Sequence, residues 1–358
     1  MRRFMKEADK QSASTYDFVQ QTGRDKYFAA RDREIALLSD GADGIKPEFA
    51  EPVEKCPVCG HDQSELWFKK QGFEFRRCKN TSVCGHIFGN PQINEDALND
   101  CYRGAGEGGE CAEVSANDLW IEVLLSQANA SYDKGKYQRG IDAMQAALGT
   151  DKPGRVLDIG CSIGHFLALA KEAGWDAVGL ELNEKAVAYA TKELGLDVRP
   201  QLLDEAGFPP ESFDVVTLWG VIEHLKRPVE VISQIAEILK PGGILLTFCP
   251  NGASMVCRVL REHAATFDGR NHPSYFTPQS IKYVMKQSGL ENIAISFHQP
   301  DLDAVLNYLE GRDPYLRDEQ EKGPLHAFFS GENRPKAEDF IRENGYGYKM
   351  MTLNRKPV

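Results

Sequence analysis

The sequence predicts an α/β protein: a parallel sheet covered by helices, with a small cysteine-bearing domain ahead of it. Three observations carry that prediction. From about residue 131 onward, strand-like apolar runs alternate with helical patterns, as in a sheet whose parallel strands are joined by helical crossovers. The stretch RVLDIGCSIGHFLALA (155–170) passes from an apolar run through two glycines into the spacing of a buried helix. Four cysteines lie among aromatics and turn residues between positions 51 and 92.

A chain of 358 residues with 42% hydrophobic and 27% charged content is expected to bury a full core and to divide into two domains. The composition suggests a polar extension (1–50), the cysteine domain (51–92), a linker and helical region (93–130) and the α/β domain (131–358). In the extension, DKYFAARDREIALLSD predicts an amphipathic helix with Phe28, Ile35 and Leu38 on one face. YRGAGEGGE (102–110) reads as a flexible connection. There is no apolar run of about 18 residues, and MRRFMKEADKQSAS lacks the apolar stretch of a secretory signal, so a cytoplasmic location and no membrane partner are expected. A net charge of −11 repels phosphate backbones, and no long Lys/Arg-rich run accompanies the cysteine segment. The expected partner is a small molecule rather than nucleic acid, and oligomeric state is not legible.

Nine cysteines are too sparse for a disulfide scaffold, and the clustered four read as metal ligands. CPVCGH sets Cys56 and Cys59 at knuckle spacing, and RCKNTSVCGH supplies Cys78 and Cys84 with five residues between them. Four thiolates suit one tetrahedral, structural zinc, as in a zinc ribbon, with His61 or His86 as possible replacements in the looser second pair. A segment this poor in apolar residues needs the metal's contribution to folding.

In the α/β domain, Arg155–Ile159 is predicted as a strand, Gly160–Gly164 as the turn and His165–Ala173 as a helix ended by Gly174. GWDAVGLELN follows as the second strand and ends in Glu181. Strand, glycine turn, helix, strand and acidic residue together form a Rossmann-like nucleotide-binding unit whose carboxylate accepts from ribose hydroxyls. Ser162 stands where a pyrophosphate site needs its middle glycine, so an adenosine-containing cofactor without a pyrophosphate fits better.

VLDIGCSIGHF, Glu181, SFDVVTLWGVIEHLKRP and ILKPGGILLTFCPN together resemble the ordered motifs of class I S-adenosylmethionine-dependent methyltransferases over about residues 131–300. The resemblance implies a seven-stranded Rossmann-like sheet and S-adenosylmethionine as cofactor. It places Asp158, Gly160, Cys161 and Gly164 at the turn and methionine end, and Glu181 on the ribose. It also sets Leu203 and Asp204 at the adenine, with Trp219 and Gly220 near the methionine portion and Glu223 and His224 on a new helix. Tyr132 and Tyr137 are candidates to roof the cofactor. Ubiquinone-type O-methyltransferases associate a Glu-x-x-Glu-His run with a divalent metal; Gly220 replaces the first Glu here, which argues against metal assistance.

The sulfonium already carries an activated methyl, so the protein must place a nucleophile in line and remove its proton. DGRNHPSYFTPQSIKYVMKQSGL (268–290) resembles the segment after the fifth strand in small-molecule members, which makes His272 the first candidate base, His224 the second and His263 the third. A histidine acting in its neutral form is expected to titrate near 6 to 7, about its ordinary value. The resemblance implies methylation at oxygen or carbon of a small polar metabolite such as a nucleotide-linked sugar. RNA methylation guided by the zinc ribbon, or a scaffold that binds cofactor without turnover, are the alternatives.

Overall fold

The computed structural model describes residues 22–41, 44–103, 115–150, 152–315 and 323–358. The described chain opens with α1 (Arg24–Leu38), which buries Ala30, Glu34, Ile35 and Leu38 and leaves Phe28 half-buried. The expected apolar face therefore includes an acid. A small antiparallel sheet follows from β2 (Ser64–Lys70), β3 (Phe73–Cys78) and β4 (Ile87–Asn90), while β1 (Ala50–Glu51) pairs with β5 (Gln92–Ile93). Helices α2 (Glu95–Arg103), α3 (Ala116–Leu125) and α4 (Gln127–Leu148) lead into the main domain. Tyr102 and Arg103 thus close a helix, and residues 104–110 of the glycine-rich stretch lie outside the described residues.

The main domain runs β6 (Arg155–Ile159), α5 (His165–Glu172), β7 (Asp176–Leu180), α6 (Glu184–Lys192), β8 (Asp197–Arg199), β9 (Phe213–Trp219), α7 (Pro228–Ile238) and β10 (Leu239–Pro250). It continues through α8 (Met255–Leu260), β11 (Ser274–Tyr275), α9 (Pro278–Gln287), β12 (Glu291–His298), α10 (Leu302–Leu309), α11 (Pro324–Phe328), α12 (Asn333–Glu343) and β13 (Lys349–Arg355). The seven-stranded order is β12-β13-β10-β9-β6-β7-β8. Strands β8, β7, β6, β9 and β10 are mutually parallel, and β13 enters antiparallel between β10 and β12. β9 is largely buried on both faces, which explains why five of its seven residues are apolar, with Asp214 and Thr217 the exceptions. On one face Ile141 and Met144 of α4 and Phe166 of α5 pack with Val156, Val215 and Leu246. On the other, Ile232 and Ile235 of α7 and Ile281 and Val284 of α9 pack with Leu157, Val216 and Leu245. The helix expected to begin at Glu223 is instead one 3-10 turn, Ile222–His224, because Pro228 opens α7 only after an extended link. Thr277 caps α9 reciprocally with Ser280.

The small sheet is not a free appendage. β11, from the far side of the main domain, pairs with β4 at Ser274–Phe88 and Tyr275–Ile87, making a fourth strand. Phe68, Phe73 and Phe75 pack there with Phe267 and Tyr275. Gly269 admits the fully buried Phe73: a Cβ at 269 would lie 2.2 Å from the ring. Gly269→Ala is therefore expected to destabilise the protein by about 1–3 kcal/mol through overpacking. Thermal unfolding checks this, with Phe73→Leu in the Gly269→Ala background restoring part of the loss.

Candidate active site

The connections leaving β6 and β9 run in opposite directions along the sheet, which opens a crevice at their C-terminal ends. The first wall is the turn after β6. Gly160 (φ 69°) and Gly164 (φ 82°) take left-handed conformations, and a Cβ on either would sit 2.6 Å from Val221 or Leu196 respectively. Ser162 takes the same region (φ 48°) despite its side chain, and its N–H donates to Glu181 Oε2 at 2.8 Å. The Asn183 N–H donates to Oε1 at 2.8 Å, so the Glu181 carboxylate is clamped just beyond β7. Burial raises its pKa. Asp158 accepts from the Thr217 hydroxyl at 2.7 Å, a partner on β9 rather than in the turn, and burial pushes its pKa up to about 8. The Cys161 thiol packs down on Gly179, leaving its backbone at the turn. Leu203 packs on the core, and Asp204 is exposed on the neighbouring loop.

The second wall is aromatic. Trp219, at the end of β9, lies 5.0 Å from Tyr137, 5.4 Å from Phe166 and 5.7 Å from Phe248, over the bare face of Gly140. Lys136, which the sequence reading missed, extends its ammonium 4.2 Å from the Tyr137 ring centre and pairs with Asp133 at 2.7 Å. Tyr132 accepts from the Gln299 side chain. The available signal for Lys136 was its place one turn after Tyr132 on α4, since i and i+4 share a helix face.

The third wall joins residues far apart in sequence. After Gly220 (φ 73°), whose N–H donates to Phe248 O at 2.7 Å, the 3-10 turn presents Glu223 and His224. His224 Nδ1 lies 2.7 Å from Asn271 O and 2.8 Å from the Tyr102 hydroxyl, and His272 Nδ1 lies 3.0 Å from Thr266 O. A carbonyl only accepts, so each Nδ1 carries the proton and each Nε2 is left as an acceptor. The rings are 4.8 Å apart. Glu223 is 3% exposed, and its Oε2 has no hydrogen-bond partner among the described residues. One polar atom from each of Glu223, His224 and His272 lies within 4.8 Å of the others. His263 stands exposed beside Tyr308, outside this trio. Glu223 is the second residue missed as a site candidate in its own right.

Burial, then the neighbouring His224, pushes His272 down to about 3. This replaces the expected titration near 6 to 7: the imidazole is neutral throughout the physiological range.

In the small domain Cys56 and Cys84 Sγ lie 3.8 Å apart and Cys59 and Cys78 Sγ 3.6 Å apart, with all four within 4.8 Å. A tetrahedron with Zn–S bonds of about 2.3 Å has edges of about 3.8 Å, so the four thiols fit one zinc. His86 is turned away, between Phe276 and Phe88 with Nδ1 3.4 Å from Ser280 Oγ, and His61 is not among the four.

Residues 130–295 match a family described as a methyltransferase domain. A ubiquinone biosynthesis O-methyltransferase of Azoarcus sp. (strain BH72) is 28% identical over 159 residues, covering 40% of this chain and 66% of that protein. Its counterpart in Roseobacter denitrificans (strain ATCC 33942 / OCh 114) is 29% identical over 150 residues, covering 39% and 60%. The chain thus spans less than two thirds of these relatives' length. A solved S-adenosylmethionine-dependent methyltransferase from Archaeoglobus fulgidus aligns with a TM-score of 0.43 at 20% identity, over 63% of this chain and 94% of that one.

Because the unfolded imidazole titrates near 6.5 and the folded one near 3, the folded state binds fewer protons between these values. The His272 contribution is therefore fully present above about pH 6.5 and is lost as pH falls toward 3. The difference in thermal midpoint between the parent protein and His272→Gln, measured across pH 4 to 8, should shrink or reverse on acidification.

Proposed function

We propose that this chain, a member of the class I S-adenosylmethionine-dependent methyltransferases through residues 130–295, transfers a methyl group to a small polar metabolite. The observation that carries the reading is the pair of clamps at the crevice: a backbone-held Glu181 on one side and two Nε2-accepting imidazoles on the other. Glu181 keeps lone pairs for ribose hydroxyls because each oxygen takes one N–H. Gly160, Cys161 and Gly164 supply a turn without side-chain obstruction, and Leu203 and Asp204 flank the adenine position. Asp158 and Gly220 border the methionine portion, with Trp219, Tyr137 and Tyr132 above it. When bound, the cofactor supplies an electrophilic methyl on a sulfonium.

One of the two imidazoles, His272 or His224, takes the acceptor's single proton at Nε2. Their Nδ1–H groups keep donating to Thr266 O and Asn271 O respectively, and the Glu223 side chain lies within reach of both rings. Oxygen is the acceptor atom favoured by the O-methyltransferase relatives, and a nucleotide-linked sugar is one metabolite of suitable polarity. RNA is disfavoured by the net charge of −11 and by the small sheet's own basic residues, which are engaged. Lys69 and Arg76 pair with Glu74, Lys70 donates to Ala264 O at 3.0 Å, and Arg77 lies over Trp67.

Calorimetry with S-adenosylhomocysteine tests the cofactor site. Glu181→Ala should weaken binding by about 1.5–3 kcal/mol, the worth of hydrogen bonds to a charged group. Binding of a nicotinamide dinucleotide in its place overturns the reading, and label passing from methyl-labelled cofactor into RNA overturns the substrate class.

The small domain is assigned a structural zinc held by Cys56, Cys59, Cys78 and Cys84, which would tie the loops around these cysteines together beside a sheet that already buries Phe68, Phe73 and Phe75. Elemental analysis should find one zinc per chain, and Cys56→Ser with Cys59→Ser should abolish it. A metal-free parent protein of full thermal stability refutes the assignment.

A further inference from the structure

We infer that Glu34, from outside the methyltransferase domain, positions His224 through its buried ion pair with Arg270 and the turn 268–272. The inference rests on the reading of His224 and His272 as proton acceptors. Tyr27, Arg31 and Glu34 follow i, i+4, i+7 spacing on one face of α1, and all three grip that turn. Glu34 pairs with Arg270, at 4% and 1% side-chain exposure, while its other oxygen accepts the Ala116 N–H at 2.8 Å. Arg31 Nε lies 3.6 Å from Asp268 Oδ2, and the Tyr27 hydroxyl accepts from Asn271 Nδ2 at 3.4 Å.

Inside the turn, Asp268 Oδ1 accepts the N–H groups of Arg270 (3.1 Å) and Asn271 (3.4 Å), and Asp268 O accepts the His272 N–H at 2.9 Å. Arg270 also donates to the Asn271 side-chain oxygen. What this arrangement fixes is the Asn271 carbonyl, which holds the Nδ1 proton of His224 at 2.7 Å and so leaves Nε2 as the acceptor. Desolvating two charges is a costly way to glue a helix to a loop, since apolar residues of like volume do so equally well. A guanidinium earns its place here by direction: its planar donors reach Glu34 and Asn271 at once.

The test uses the full chain labelled with 15N-histidine, without acceptor, and follows imidazole resonances by NMR, His224→Gln supplying the assignment. In the parent protein His224 should show a single Nδ1–H tautomer. In Glu34→Met with Arg270→Met, which removes both charges and keeps the volume, the Nδ1 proton should exchange with solvent about tenfold faster and the ring should sample both tautomers. His326, held between Glu310 and Asp303, serves as an unmoved reference. Phe73→Leu, a packing change at the same junction, should lower the thermal midpoint and leave the His224 tautomer alone. If the double variant does not fold, Glu34→Gln is read the same way. An unchanged His224 in a folded variant overturns the inference, as does failure of both variants to fold, which would make the pair a folding element. Parent protein that ignores S-adenosylhomocysteine counts against the methyltransferase reading, while the tautomer result still decides this one.

Discussion

The structure depends on one topological constraint: neighbouring strands β6 and β9 send their connections in opposite directions. Parallel strands point their C-terminal ends the same way, so no helix can cover the gap where the winding reverses. Backbone groups and polar side chains there face a crevice instead of a core. Asp158 and the glycine turn leave β6 on one side, and Trp219, Gly220 and the Glu223–His224 turn leave β9 on the other.

The crevice is completed by chain outside the βα units. The 266–275 segment carries His272, supplies the carbonyls that orient both imidazoles, and ends in the strand that joins the small sheet. It is gripped by α1 on one side and by the aromatic sheet on the other. A histidine pair needs this support because an imidazole offers either nitrogen, and only a fixed carbonyl decides which one accepts. The thiol cluster borders the same small sheet, with Cys56 and Cys59 before β2, Cys78 at the end of β3 and Cys84 in the loop before β4, so holding it together holds the surface on which β11 is seated.

Electrostatically, the crevice gathers acids and bases that burial drives toward neutrality: Asp158 and Glu181 upward, His272 and Lys136 downward. Such groups cost stability when charged and desolvated, and their concentration in one crevice is what supports the proposal of an active site there.

The sequence alone determined the βαβ unit, from Arg155–Ile159 through Glu181, because it follows from local rules: apolar period, glycine conformation and helix capping. The four-cysteine set was legible for the same reason, since knuckle spacing is a property of a few consecutive residues. Only the tertiary structure decided that β11 completes the small sheet, that Glu34 turns inward to meet Arg270, and that His224 and His272 face one another beside Glu223. These are contacts between segments 48 to 236 positions apart, and no local period records which distant carbonyl a buried donor will meet. The lowered pKa of His272 belongs to the same class, because desolvation is set by everything packed around a ring and not by its neighbours in the chain.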